Sequence, residues 1–199
     1  MGWGWIWVII LGVLGITIER LVGKMLTRPI IARHIIIGPI QRSLQHSEEY
    51  WIIPVHVKAN TLWNLLVADM RDVTAFITFI QQKEGKENSI RCQAVWVNPN
   101  VDDQSFISLH IGSKRHIGLA QKSDFVPNTL LIYGHEIGPS PNDNIKLSGD
   151  YDILLELRSD DKMLSCWKFQ KAIVGSIVQE VNPLKVNSPP TSHKEGSQN

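Results

Sequence analysis

The first hydrophobic stretch of the chain has no period at all: residues 2–18, GWGWIWVIILGVLGITI, run seventeen positions without a charge. As a helix it would rise about 25 Å, and Leu21 and Val22 extend it toward the ~30 Å hydrocarbon layer of a bilayer. It is apolar on every side, so it has no polar face with which to lie on a membrane surface. The pattern predicts a transmembrane anchor over residues 1–23. Trp3, Trp5 and Trp7 crowd its N-terminal end, where indoles favour the interface, and Arg20 can snorkel to the headgroups at the other end. A cleaved leader would need a positive start and a small-residue cleavage site. No Lys or Arg precedes the run, and Ile16-Thr17-Ile18-Glu19-Arg20 offers no such site. The length and the Trp-rich end also argue against a buried core helix.

Residues 24–49 read as a basic juxtamembrane linker. Pro29 should end a helix continuing from the membrane, and Ile30-Ile31 with Ile35-Ile36-Ile37 before Gly38-Pro39 is either a first edge strand or a segment lying against lipid. From Tyr50 the period becomes two. Trp51, Ile53, Val55 and Val57 alternate with polar positions as in a half-buried strand, which Pro54 demotes to a sheet edge. The same alternation follows at Val73, Ala75, Ile77 and Phe79, then at Ile90, Cys92, Ala94 and Trp96, then at Ile107, Leu109 and Ile111. Ile117 with Leu119, and the run from Leu130 to Tyr133, add two more, before Tyr151, Ile153, Leu155 and Leu157, and Met163, Trp167 and Phe169. Short strands between polar turns, with no long amphipathic helix among them, predict an all-β antiparallel sandwich of about eight strands over residues 50–181. Residues 182–199 are polar and Pro/Ser-rich, a composition that predicts disorder.

One insertion breaks the rhythm. Leu62, Trp63, Leu65 and Leu66 stand where a short polar turn would suffice, either as a lid over the end of the sandwich or as an exposed loop that contacts a partner or the bilayer.

Leu147-Ser148-Gly149-Asp150-Tyr151-Asp152-Ile153 resembles the tyrosine corner of immunoglobulin-like domains, and Trp96 then resembles their core Trp on strand C. The resemblance implies an immunoglobulin-like sandwich in which Ile77 and Ile153 replace the inter-sheet disulfide. It also implies that Cys92 and Cys166 share a sheet with one strand between them, about 10 Å apart and beyond disulfide reach. The chain is similar to uncharacterised prokaryotic membrane-anchored proteins that carry one such domain, a likeness that implies a fold and no activity.

Charge settles orientation more than partner. The formal net charge is +1, so nothing global points to nucleic acid or an acidic ligand. Arg20, Lys24, Arg28, Arg33 and Arg42 follow the anchor, with Glu19 the one acid before Glu48. The positive-inside rule therefore places the N-terminus outside and the rest in the cytoplasm. Arg20, Lys24 and Arg28, spaced i, i+4, i+8, would share a helix face near anionic headgroups. Two cysteines without C-x-x-C spacing suit a reduced compartment and make neither a disulfide framework nor a zinc site.

No catalytic constellation emerges, and neither a catalytic residue, a cofactor nor a metal is expected. The serines lack a G-x-S-x-G elbow and the histidines lack H-E-x-x-H pairing, although His110 and His116 would approach each other if their strands formed a hairpin. Asn98-Pro99-Asn100-Val101-Asp102-Asp103 begins like an EF-hand loop, but Asp103 stands where that loop needs Gly and Leu109 where it needs Glu. The sequence is thus read as a single-pass membrane protein presenting a binding or scaffolding module to the cytoplasm, with the lipid bilayer and a protein as partners. An enzyme or ligand-binding reading would need Asn98, Asn100, Asp102, Asp103, Asp143 and His135 to converge at one sandwich end. A third reading is a subunit of a membrane complex, with Gly12 and Gly15 letting helices approach closely.

Overall fold

The computed structural model describes residues 30–45, 48–58, 69–83, 86–97, 104–122, 130–136, 145–160, 162–175 and 177–186. The anchor read at residues 1–23 lies outside this set, and no helix among the described residues is long and apolar enough to cross a membrane. What they form is all-β. Among the described residues fifteen strands, from two to fourteen residues long, make two antiparallel sheets.

The first sheet orders β1 (Ile35–Ile37), β3 (Glu48–Val57), β8 (Lys114–Lys122), β9 (Leu130–Ile132) and β11 (Lys146–Leu147), with β2 (Gln41–Gln45) added to β3 and β6 (Trp96–Val97) to β8. The second orders β10 (Gly134–Glu136), β5 (Lys86–Ala94), β4 (Met70–Lys83), β12 (Tyr151–Ser159), β13 (Lys162–Val174) and β14 (Ile177–Val178). There β7 (Ile107–Leu109) adds to β4 and β15 (Leu184–Val186) to β13. Residues 35–37 are therefore a strand, reached through helical residues 30–34, and β15 lies in what the sequence read as the polar tail.

The period of two does what it should. Trp51, Ile53, Val55 and Val57 of the first sheet share one buried cluster with Val73, Ala75, Ile77, Phe79, Ile153, Leu155, Leu157, Trp167 and Phe169 of the second. Successive side chains on a strand point to opposite faces, so each alternation delivers one apolar row to the space between the sheets. The run expected as a single strand ending at Trp96 divides at Val95. Ala94 pairs with Ala75 in the second sheet, and Trp96 with Ile117 in the first, so the chain changes sheets there. The Trp96 indole is 2% exposed and donates to the Val73 carbonyl at 3.1 Å, which satisfies a polar group that would be costly to bury alone.

Pro54 corrects its reading as an edge residue, because β3 has β1 and β2 on one side and β8 on the other. Its missing N–H falls where the ladder lapses, between the Ile37–Val55 pair and the Gln41–Ile52 pair, and its carbonyl accepts from the Gly38 N–H at 2.9 Å. The strand assignment implied by the immunoglobulin likeness also changes. β4 and β12 are neighbours in one sheet, with Ile77 opposite Leu155 and Ile153 opposite Phe79, so Ile77 and Ile153 do not face each other across the sandwich. Cys92 and Cys166 do share a sheet, but β4 and β12 both lie between their strands, three spacings or about 14 Å. Both are buried, and neither is in a disulfide.

The corner at Tyr151 is closed by local hydrogen bonds. The Tyr151 hydroxyl donates to the Ser148 carbonyl at 3.3 Å, and Gln81 Nε2 donates to the same oxygen at 3.2 Å. Gly149 has φ +114, and a Cβ there would meet the Gln81 amide nitrogen at 2.3 Å. The Gly149→Ala variant is therefore expected to lose about 1–3 kcal/mol through backbone strain and the broken corner, against about 1 kcal/mol for Tyr151→Phe. Urea unfolding followed by tryptophan fluorescence checks the order. Equal midpoints for Gly149→Ala and the parent would mean the corner carries no such constraint.

Candidate functional site

With the interior filled by apolar rows, chemistry is left to the two outward faces and the sandwich ends. On the outer face of the second sheet, Phe76 of β4 sits directly opposite Glu156 of β12. The guanidinium of Arg91 lies 5.1 Å from the Phe76 ring centroid and that of Arg158 lies 5.6 Å from it. Both reach Glu156 Oε2, Arg91 Nη2 at 3.2 Å and Arg158 through Nη2 at 2.8 Å and Nε at 3.1 Å. The Glu156 side chain is 5% exposed. A carboxylate so removed from water needs this pairing, and the aromatic face below holds both cations in place. Replacing it by Ala should cost about 1–3 kcal/mol, since two guanidiniums then lose their acceptor. Urea midpoints test this, and a midpoint within error of the parent would show the cluster to be neutral for stability.

Cys166 lies opposite Glu156 on β13, in a small buried group with Ile80 and Leu154, packed by Val186 of β15. Burial first, and the Glu156 charge second, push its thiol up to about 11. At neutral pH it is a protonated, packed side chain and a poor nucleophile.

Further along the same face Asp152 anchors a bulge. Its carboxylate accepts from the Lys171 N–H at 2.8 Å, where Lys171 has φ +47, and pairs with Lys168 Nζ at 2.8 Å. Partial burial alone would raise the Asp152 carboxyl, but these hydrogen bonds and the charges of Lys168 and Lys171 hold it below the ordinary 3.8. A depressed carboxyl contributes stability above its unfolded pKa that is lost as pH falls through the folded one. The Asp152→Asn chain should therefore lose less stability than the parent between about pH 4 and pH 2. Identical acid limbs in urea titrations at the two pH values would contradict the assignment.

The outer face of the first sheet is different in kind. Ile36, His56 and Lys114 stand side by side on β1, β3 and β8, and His116 lies opposite Pro54, two residue pairs along. Burial lowers the His116 pKa below 6.5, and the nearby His56 lowers it further. His116 thus meets His56 rather than His110, because β7 and β8 belong to different sheets and form no hairpin. Toward the β9 side of this sheet, Tyr133 covers Gly118, where a Cβ would run into its ring, and stacks on Tyr50 with centroids 6.2 Å apart.

At one end, a groove of about 240 Å³ is lined by Arg71, Asp72, Gln104, Phe106, Ile107 and Ser108. Asp72 has φ +54 at the β4 bulge beside β7, and Phe106 is 58% exposed.

Most side chains that the sequence singled out fall elsewhere. Trp3, Trp5, Trp7, Arg20, Lys24, Arg28, Leu62, Trp63, Leu65 and Leu66 lie outside the described residues, as do Asn98, Asn100, Asp102, Asp103 and Asp143. His135 is placed by its backbone on β10, paired with Gln93. Among the described residues no group of three or more His, Cys, Asp or Glu is placed to hold a metal. The Glu156 cluster escaped sequence reasoning because Arg91 and Glu156 stand 65 positions apart, and only the alternation placing both outward hinted at it. No protein-family model, curated protein or solved structure matches the chain.

Proposed function

We propose that this chain is a single-pass membrane protein whose N-terminal anchor presents an immunoglobulin-like β-sandwich to the cytoplasm as a binding or scaffolding module. The observation that carries the reading is the charge-free run of residues 2–18 followed by Arg20, Lys24, Arg28 and Arg33 before the first strand. A run of that length and polarity fits a bilayer, and its one-sided cations fix the orientation. The tyrosine corner at Tyr151 and the core indole of Trp96 support the immunoglobulin-like description, while the adjacency of β4 and β12 marks a departure in strand order. Binding rather than chemistry is supported by the pairing of Arg91, Arg158 and Lys168 with Glu156 and Asp152 on the outer face of the second sheet.

Topology tests the proposal directly. In the Ser197→Cys chain the introduced thiol is expected to resist a membrane-impermeant maleimide in intact cells and to react after lysis. Cys92 and Cys166 are buried and should stay silent in the parent chain. Labelling in intact cells would reverse the orientation and make an external adhesion or receptor role the better reading.

A further inference from the structure

The cations of the second sheet's outer face have partners: Arg91 and Arg158 hold Glu156, and Lys168 holds Asp152. Those at the β1 end of the first sheet have no carboxylate partner among the described residues, and the one ring contact there is His34 Nδ1 with the Ile30 carbonyl at 2.7 Å. Helical residues 30–34 and β1 bring Arg33, His34 and the exposed Ile36, the distal half of β3 brings His56 and Lys58, and the start of β8 brings Lys114 and His116. The Lys58 N–H donates to the His34 carbonyl at 2.9 Å, which ties the helical turn to the end of β3. Neither β1 nor β8 carries an acid, and β6 adds only Trp96 and Val97. Arg115, between Lys114 and His116, points to the opposite side and is half-buried. On β3 the acids are Glu48 and Glu49; Glu49 is seven residues from His56, about 23 Å along the strand, and is already held by Arg42 and Lys122. The result, among the described residues, is an acid-free patch of Arg33, lysines and histidines with the exposed Ile36, 51% accessible, at its β1 edge.

The patch also sits where the chain leaves the apolar run. Residue 30 follows Ile18 by twelve positions, so the start of the described fold lies within about 40 Å of it even if every intervening residue is extended. We propose that this face of the first sheet docks on anionic lipid headgroups, with Ile36 entering the headgroup layer. This rests on the anchor reading above, which supplies the nearby membrane. Protonation strengthens the contact: His116, held below 6.5 by burial and then by the nearby His56, gains charge as pH falls. An anionic surface favours the protonated form, so docking should tighten from pH 7.5 to pH 5.5.

The full chain, carrying a donor fluorophore on Ile36→Cys, is reconstituted into phosphatidylcholine vesicles with or without 30% phosphatidylglycerol and with a headgroup-linked acceptor. A second chain carries the donor on Ser89→Cys, an exposed position on the outer face of the second sheet. Energy transfer from position 36 should exceed that from position 89 only when phosphatidylglycerol is present, rise at pH 5.5 and fall with salt. Lys58→Gln with Lys114→Gln, both on exposed side chains, should shift the docked-to-undocked ratio by about 25-fold, roughly fivefold per lysine. Equal transfer from the two positions, or transfer indifferent to phosphatidylglycerol, overturns the proposal. Flotation separates the two readings. A chain that does not float with pure phosphatidylcholine vesicles refutes the anchor. Salt-sensitive capture of that chain by phosphatidylglycerol vesicles, lost in the double lysine variant, would still support the face, and no capture would refute it. Tighter capture by duplex DNA than by phosphatidylglycerol vesicles at equal ionic strength overturns the lipid assignment in favour of nucleic acid.

Discussion

The hydrogen bond from the Trp96 indole to the Val73 carbonyl ties together the two sheets on which everything else in this fold is arranged. Trp96 belongs to the first sheet and Val73 to the second, so one buried donor and one buried acceptor fix where the sheets cross. Neither group can find water there, and leaving either unpaired would cost about 1–3 kcal/mol. The chain has just turned through Val95, whose carbonyl accepts from the Gly118 N–H at 2.9 Å, and the same end is held by Ser159 Oγ donating to the Arg71 carbonyl at 3.2 Å. Register on both sheets follows from this corner. A slip of one residue would send the apolar rows of β4 or β8 outward and pull their polar neighbours into the core.

Once register is set, the two outward faces are set too, and they solve the same problem differently. On the second sheet the cations are satisfied within the face, by a nearly buried Glu156 and by Asp152. Such clusters hold side chains still and leave little long-range field. On the first sheet the cations around His56 have no described carboxylate among them, so their field reaches into solvent to about a Debye length. Unneutralised charge spread over several neighbouring strands favours an extended anionic partner over a small ligand.

The period of two made most strands legible, because burial of one row per strand is written directly into Trp51 to Val57, Val73 to Phe79 and Tyr151 to Leu157. The tyrosine corner was legible for the same local reason: Gly149 and Tyr151 are two residues apart. Pairing was not. Nothing in the alternation says that β4 lies against β12, or that the strand through Trp96 changes sheets at Val95, because both depend on contacts between distant segments. Pro54 misled because a missing N–H needs only a local gap in the ladder, which the turn at Gly38 provides, rather than a free edge. β14 and β15, two and three residues long, carry too few positions to show any period. The histidines looked scattered along the chain, and His56 and His116 meet only because β3 and β8 are antiparallel neighbours.

Chain order makes the basic face and the preceding segment inseparable. Residues 30–34 run straight into β1, β1 pairs only with β3, and β3 is the strand that carries His56 and Lys58. Swinging the domain so that another face met a nearby surface would have to happen before residue 30, since Ile35 to Ile37 are locked opposite Val55 to Val57 and the Lys58 N–H is held by His34. The first described residues after the proposed anchor are thus also the edge of the patch. A tether of so few residues raises the effective concentration of that face at the bilayer. The second sheet lies across the core from this edge, with Arg91, Arg158 and Lys168 of its outer face already paired to Glu156 and Asp152.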